Sequence, residues 1–95
     1  MEGIWDDKTG SIRINDNNAT LEGIYWKKIG WKEDTYDVEC IGDVKKINLE
    51  DQKGKKTLVI VPDMSHGPDD GKVLLVNSQV NGETKESHRF YLRNC

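Results

Sequence analysis

Two histidines, each preceded by a serine, set the limits of the chemistry open to this chain: Ser65-His66 and Ser87-His88. A nucleophilic triad gathers a hydroxyl, an imidazole and a carboxylate from separate parts of a fold, and sequence neighbours do not meet that geometry. His66 lies between Pro62 and Pro68, with Asp63, Asp69 and Asp70 nearby. One imidazole among loop carboxylates fits no metal-ligand spacing and reads as a solvated loop. Gly54-Lys55-Lys56-Thr57 ends like a phosphate-binding loop but lacks the earlier glycine, and reads as a hairpin turn. The acid pairs Asp6-Asp7, Glu50-Asp51 and Asp69-Asp70 are neighbours in sequence only, whereas acid–base catalysis needs its two groups across a pocket. With no nucleophile–base pair, metal signature or cofactor motif, the expected function is non-catalytic binding, without metal or cofactor.

The residues suited to binding are aromatic. Trp5, Ser11, Tyr25, Tyr36 and Phe90 fall at positions that point them into one interior, where rings supply bulk and hydroxyls supply hydrogen bonds. Trp26 follows Tyr25 directly, so on a strand it faces the other way. Trp26 and Trp31, interleaved with Lys27, Lys28 and Lys32, then form an outward contact surface, joined by Asp63 and His66 from the Pro62 to Gly71 loop.

Strands must position these groups. Ile12 and Ile14, Tyr36, Val38 and Cys40, Ile47 and Leu49, and His88, Phe90 and Leu92 each alternate with polar neighbours. Period-two alternation marks strands with one buried and one wet face, and no helical period competes with it. Leu58 to Val61 and Val73 to Val76 are apolar throughout, as in strands covered on both faces or facing a partner. Turn residues punctuate the runs at short intervals, and Asn81-Gly82 is a strong type I′ hairpin signal. The spacing predicts an all-β domain over residues 1–95: a small antiparallel up-and-down β-barrel of seven or eight short strands joined by hairpins.

Composition narrows the partners. The net charge is −3, with 35% hydrophobic and 33% charged residues, so no basic field exists to neutralise a phosphate backbone. No apolar run is long enough to span a bilayer. No signal peptide is visible, which predicts a cytoplasmic protein, or a secreted one whose leader has been removed. Of the two cysteines, Cys40 reads as buried in a strand and Cys95 as frayed. The two apolar runs also offer a face to a second subunit.

Gly3-x-Trp5-x-Asp7 followed by Gly10-Ser11, then Leu21-x-Gly23-x-Tyr25, Ile29-Gly30, Glu33 and Tyr36-x-Val38, resembles the first strands of the avidin and streptavidin family of calycin-type barrels. Asn81-Gly82 and Phe90-Tyr91-Leu92-Arg93 resemble that family's penultimate hairpin. The resemblance implies a diverged, shortened barrel. Ser11 and Tyr25 match members of the family's polar ligand cluster, while Asp7 stands where the family has Asn and Lys27 where it has a second Ser. Val59, Val61, Leu74 and Val76 stand where tryptophans would wrap biotin, so the biotin site is largely not retained.

Two functions follow. The first is a calycin-like small-molecule binder, with Trp5, Asp7, Ser11, Tyr25, Tyr36 and Phe90 at the ligand. The alternative is a small protein antagonist, of inhibitor or immunity type, acting through Trp26, Trp31, Asp63 and His66. An open interior favours the ligand, and a filled interior with an exposed tryptophan favours the protein partner.

Overall fold

A computed structural model describes residues 2–52, 54–63 and 72–93 of the chain. The alternating segments form nine strands: β1 (Gly3–Asp6), β2 (Ser11–Ile14), β3 (Asn18–Glu22), β4 (Thr35–Asp37), β5 (Glu39–Ile41), β6 (Val44–Asp51), β7 (Gly54–Pro62), β8 (Val73–Val80) and β9 (Glu83–Leu92). All pair antiparallel in one sheet, in the order β4-β3-β2-β1-β9-β8-β7-β6-β5. The domain is therefore mostly β, as the alternation requires, with nine strands rather than seven or eight.

The extra strand comes from a break. β4 and β5 are separated by Val38 alone, yet β4 pairs with β3 and β5 with β6. The backbone N–H of Val38 leaves the ladder to donate to the Asn17 carbonyl at 2.9 Å. One run of chain thus supplies both ends of the sheet order. At the other join, β1 pairs with β9 through Trp5↔Leu92 and Asp6↔Tyr91. The Arg93 N–H extends this join by donating to the Ile4 carbonyl at 2.8 Å.

Turn chemistry fixes the register of the long hairpins. Asn81 and Gly82 both take positive φ, 52° and 84°, as the type I′ signal demands. The Asn81 side chain also reaches across to the β6–β7 turn, where its Oδ1 accepts the Lys55 N–H at 3.0 Å. One residue therefore ties two successive hairpins together.

The sheet curls around one core. Trp5, Ile12, Ile14, Leu21, Leu58, Ile60, Leu74, Val76 and Phe90 lie on its inner face and are buried. Val59, Val61, Val73 and Leu75 alternate with them on the outer face, half-buried. Cys40 departs from expectation. It is exposed on the three-residue end strand β5, where its thiol lies beside Lys45 Nζ at 3.4 Å. Cys95 lies outside the described residues.

The departure with most consequence is a helix, α1 (Ile24–Lys28), where alternation predicts strand. Gly23 starts it with φ at +114°, and the chain there packs against the β1–β2 turn, with the Tyr25 N–H donating to the Thr9 carbonyl at 3.0 Å. Consecutive helical residues sit about 100° apart, not on opposite faces. Tyr25 and Trp26 therefore both turn inward, at 4% and 0% exposure, while Ile24, Lys27 and Lys28 stay in water.

Candidate functional site

The end of the curl that holds α1 gathers most of the residues suited to binding. Asp7 follows β1 and organises the turn to β2. Its Oδ1 accepts the Thr9 N–H at 2.7 Å, the Gly10 N–H at 3.0 Å and the Thr9 hydroxyl at 2.9 Å. Its Oδ2 pairs with His88 Nε2. His88 stacks on Tyr25 with ring centroids 4.4 Å apart, and the Tyr25 hydroxyl donates to Glu86 Oε2 at 3.2 Å. Phe90 stands beneath, edge-on to both Tyr25 and His88. Asp7, Tyr25, Phe90, His88 and Glu86 thus form one cluster linking the first turn, the helix and the last strand.

Electrostatics follow from these contacts. Burial raises the Asp7 carboxyl and is the largest single influence on it, but the hydrogen bonds from His88, Thr9 and Gly10 together hold it below the ordinary carboxylate value. Burial, and then the charge and hydrogen bond of Glu86, push the Tyr25 phenol up, so it stays a protonated donor. The stabilisation from Asp7 is therefore complete above its unfolded value of about 3.9 and is lost as pH falls through the lower folded value. Asp7→Asn is expected to cost about 1–3 kcal/mol at neutral pH and to remove this acid-sensitive part. Urea unfolding across a pH series measures it, and identical acid sensitivity in both proteins would contradict the role of Asp7.

Of the other residues suited to binding, Trp5 and Phe90 face the core and Tyr36 packs against it, whereas Ser11 alternates with buried Ile12 and lies on the outer face. Trp5 is buried at 2% exposure. Phe90 is fully buried and stacked on Trp26, with centroids 5.3 Å apart. Ser11 is placed beside Trp26, but its backbone carbonyl makes the contact, accepting indole Nε1–H at 2.9 Å. Tyr36 belongs to a separate group: its hydroxyl donates to the Lys32 carbonyl at 2.6 Å and its ring meets Trp31 edge-on at 5.4 Å.

The proposed protein-contact surface is corrected most. Trp26 and Trp31 are 0% and 1% exposed, because α1 turns Trp26 inward and the Trp31 N–H closes back on the Trp26 carbonyl at 2.7 Å. Neither indole is an outward anchor. Lys27 pairs with Glu33 at 3.2 Å on the surface instead of lining a ligand site. Asp63 accepts Arg89 Nε at 2.5 Å at the end of β7. His66 lies outside the described residues.

Sequence reasoning passed over His88 and Glu86. Their alternation with Phe90 places all three on one strand face, but the partner of His88 lies 81 residues earlier in the chain. Among the described residues no hydroxyl or thiol is hydrogen-bonded to His88, and no three metal-ligating side chains converge. No described helix is long and apolar enough to cross a membrane.

Outside the cluster lies an open groove of about 420 Å³. It runs along the turn from Asp6 to Ser11 and is also lined by Glu22, Gly23, Glu33 and Arg93. Arg93 Nε donates to Asp6 at 2.6 Å, and Glu33 accepts the Gly23 N–H at 3.0 Å. That hydrogen bond, and then Lys27, hold the Glu33 carboxyl low. Asp6, Asp7, Glu22 and Glu33 thus face Lys8 and Arg93, leaving the groove acidic. No family model matches the chain, and neither a curated protein nor a solved structure matches it.

Proposed function

We propose that the protein is a non-catalytic binding module, a calycin-type barrel akin to the avidin family, that holds a small polar ligand in the groove beside α1. The barrel reading draws on the β1–β9 join and on the continuity of β4 with β5 through Val38. The observation that carries the ligand site is the convergence of Asp7 and Ser11 on an open, carboxylate-rich groove. Its volume lies in the range of small-molecule sites, about 300–1,000 Å³. Those sites are usually apolar, so this lining selects a ligand rich in donors, such as an amine or a guanidine. The ligand rests outside the core, because Trp5, Trp26 and Phe90 fill the interior with their own rings.

Thermal shift against biotin and a panel of small amines and guanidines tests the reading. A cationic member is expected to raise Tm, and Glu22→Lys or Glu33→Lys to abolish the rise, with biotin inert. A biotin shift that survives both substitutions would move the ligand inside the barrel and overturn the groove site. A panel with no binder would overturn the cationic ligand.

The antagonist reading loses the contact it was built on, since both tryptophans are buried.

A further inference from the structure

Where the chain passes from β4 to β5 it leaves β3 for β6, and a wedge opens between β4 and β6. On the β3 side, the Leu21 N–H donates to the Asp34 carbonyl and the Val38 N–H to the Asn17 carbonyl, both at 2.9 Å. Tyr36, midway between Asp34 and Val38 and paired with Ala19, shares that side. Bonding sides alternate along a strand, so the peptide groups of Thr35 and Asp37 point the other way, into the wedge. β6 has the matching phase. The two-residue turn at Gly42-Asp43 closes on the Ile41↔Val44 pair, so Val44 and Lys46 bond to β5. Asn48 and Glu50 point to the same side, but β5 begins at Glu39, opposite Lys46, and does not reach them. Among the described residues, no backbone hydrogen bond reaches Asp37, Asn48 or Glu50 on this side.

Two strand edges thus face each other, and Thr35, Asp37, Asn48 and Glu50 are all exposed. An opening of about 260 Å³ marks the apex, lined by Asp37, Val38, Glu39, Lys46 and Asn48. Tyr36, Val38 and Leu49 alternate with the edge residues and are only partly buried against the core. Lys56, on the same face as Leu58, donates to the Gly30 carbonyl at 2.9 Å and holds the segment after α1 to the inner side. The rim carries Asp37, Glu39 and Glu50 against Lys46 alone.

We infer that this wedge takes an extended peptide of alternating basic and apolar residues from a partner protein, as an added strand between β4 and β6. Unpaired donors and acceptors two residues apart on both edges match an extended backbone and not a helix. β4 and β6 run in opposite directions, so the segment lies antiparallel to one and parallel to the other. The paired stretch spans about 7 Å per two residues, enough for a segment of about five. Every second side chain turns inward over Tyr36, Val38 and Leu49, which selects an apolar residue. The others turn outward among the carboxylates, which selects lysine or arginine. Strand edges left open in this way are templates for pairing.

An acetylated and amidated pentapeptide alternating lysine and valine, titrated into labelled protein, tests the inference. Amide shifts are expected at Asp37, Asn48 and Glu50, with hydrogen exchange there slowed at least tenfold at saturation. Methylating alternate peptide nitrogens, or replacing the lysines by glutamates, is expected to weaken binding at least tenfold. Glu50→Pro removes an edge donor that β7 does not use, and Asp37→Lys inverts the rim without touching the backbone. Each is expected to raise Kd at least tenfold with unchanged far-UV circular dichroism, and if Glu50→Pro fails to fold, Asp37→Lys decides. Glu22→Lys, in the groove beside α1, is expected to leave Kd unchanged, so the result does not depend on the groove ligand. No binding at millimolar peptide overturns the wedge site. So does binding that tolerates methylation or Asp37→Lys, or shifts centred on Thr9, Gly10 and Gly23 instead.

Discussion

Replacing Trp26 by alanine is expected to destabilise the fold by about 3–5 kcal/mol, the range for deleting a large buried aromatic. A domain of this length holds only about 5–14 kcal/mol in total, so a large share of the stability is at risk. At roughly 4–8 °C per kcal/mol, Tm falls by about 12–40 °C in thermal denaturation followed by circular dichroism. The cause is specific. Trp26 is fully buried, stacks on Phe90 at 5.3 Å, meets Tyr25 edge-on at 5.1 Å and donates Nε1–H to the Ser11 carbonyl. Its removal leaves a cavity between helix and sheet and an unpartnered carbonyl. On an exposed strand face, as alternation alone implies, the same change would cost almost nothing. A loss under about 1 kcal/mol would return Trp26 to the surface and revive it as a contact residue.

Gly23→Ala attacks the same junction through the backbone. Gly23 has φ at +114°, and an added Cβ would lie 2.5 Å from Gly10 Cα and 2.7 Å from the Thr9 carbonyl oxygen. Both obstacles are backbone, so neither can swing aside. The conformation costs about 1–3 kcal/mol, and overpacking adds a similar amount. Gly82→Ala is the control: its φ is +84° but nothing lies within 4 Å of the added Cβ. It is expected to lose only the conformational part, about 1 kcal/mol. Urea midpoints of the two variants separate the contributions. Equal losses would show that α1 does not seat closely on the β1–β2 turn.

How far this fold can be read from sequence depends on the reach of each interaction. Ile12 and Ile14, or Asn81 and Gly82, declare themselves within a few residues, because alternation and positive φ are local properties. Tyr25 and Trp26 mislead for the same reason. A five-residue helix has too few turns to show a period, and its inward face is set by the turn it packs against. The β4–β5 break at Val38 is equally hidden, since one short run serves two sheet neighbours. His88 was legible as inward-facing beside Phe90. Its bond to Asp7 was not, because the β1–β9 join that brings them together spans nearly the whole chain. The resemblance to avidin-like barrels pointed to Asp7, Ser11 and Tyr25 as a group, and all three lie at the α1 end. Their side chains or carbonyls are engaged with His88, Trp26 and Glu86, so any ligand must meet them from the groove side.

That placement defines the most direct test. Amide chemical shifts of the labelled protein, followed while titrating the strongest binder among the amines and guanidines, report where the ligand sits. The expected perturbations fall on Asp6 to Ser11, Glu22, Gly23 and Glu33, with Leu58, Leu74 and Val76 unmoved. Perturbations centred on Leu58, Leu74 and Val76, with the groove amides silent, would place the ligand inside the curled sheet and contradict a binding site built outside a packed core.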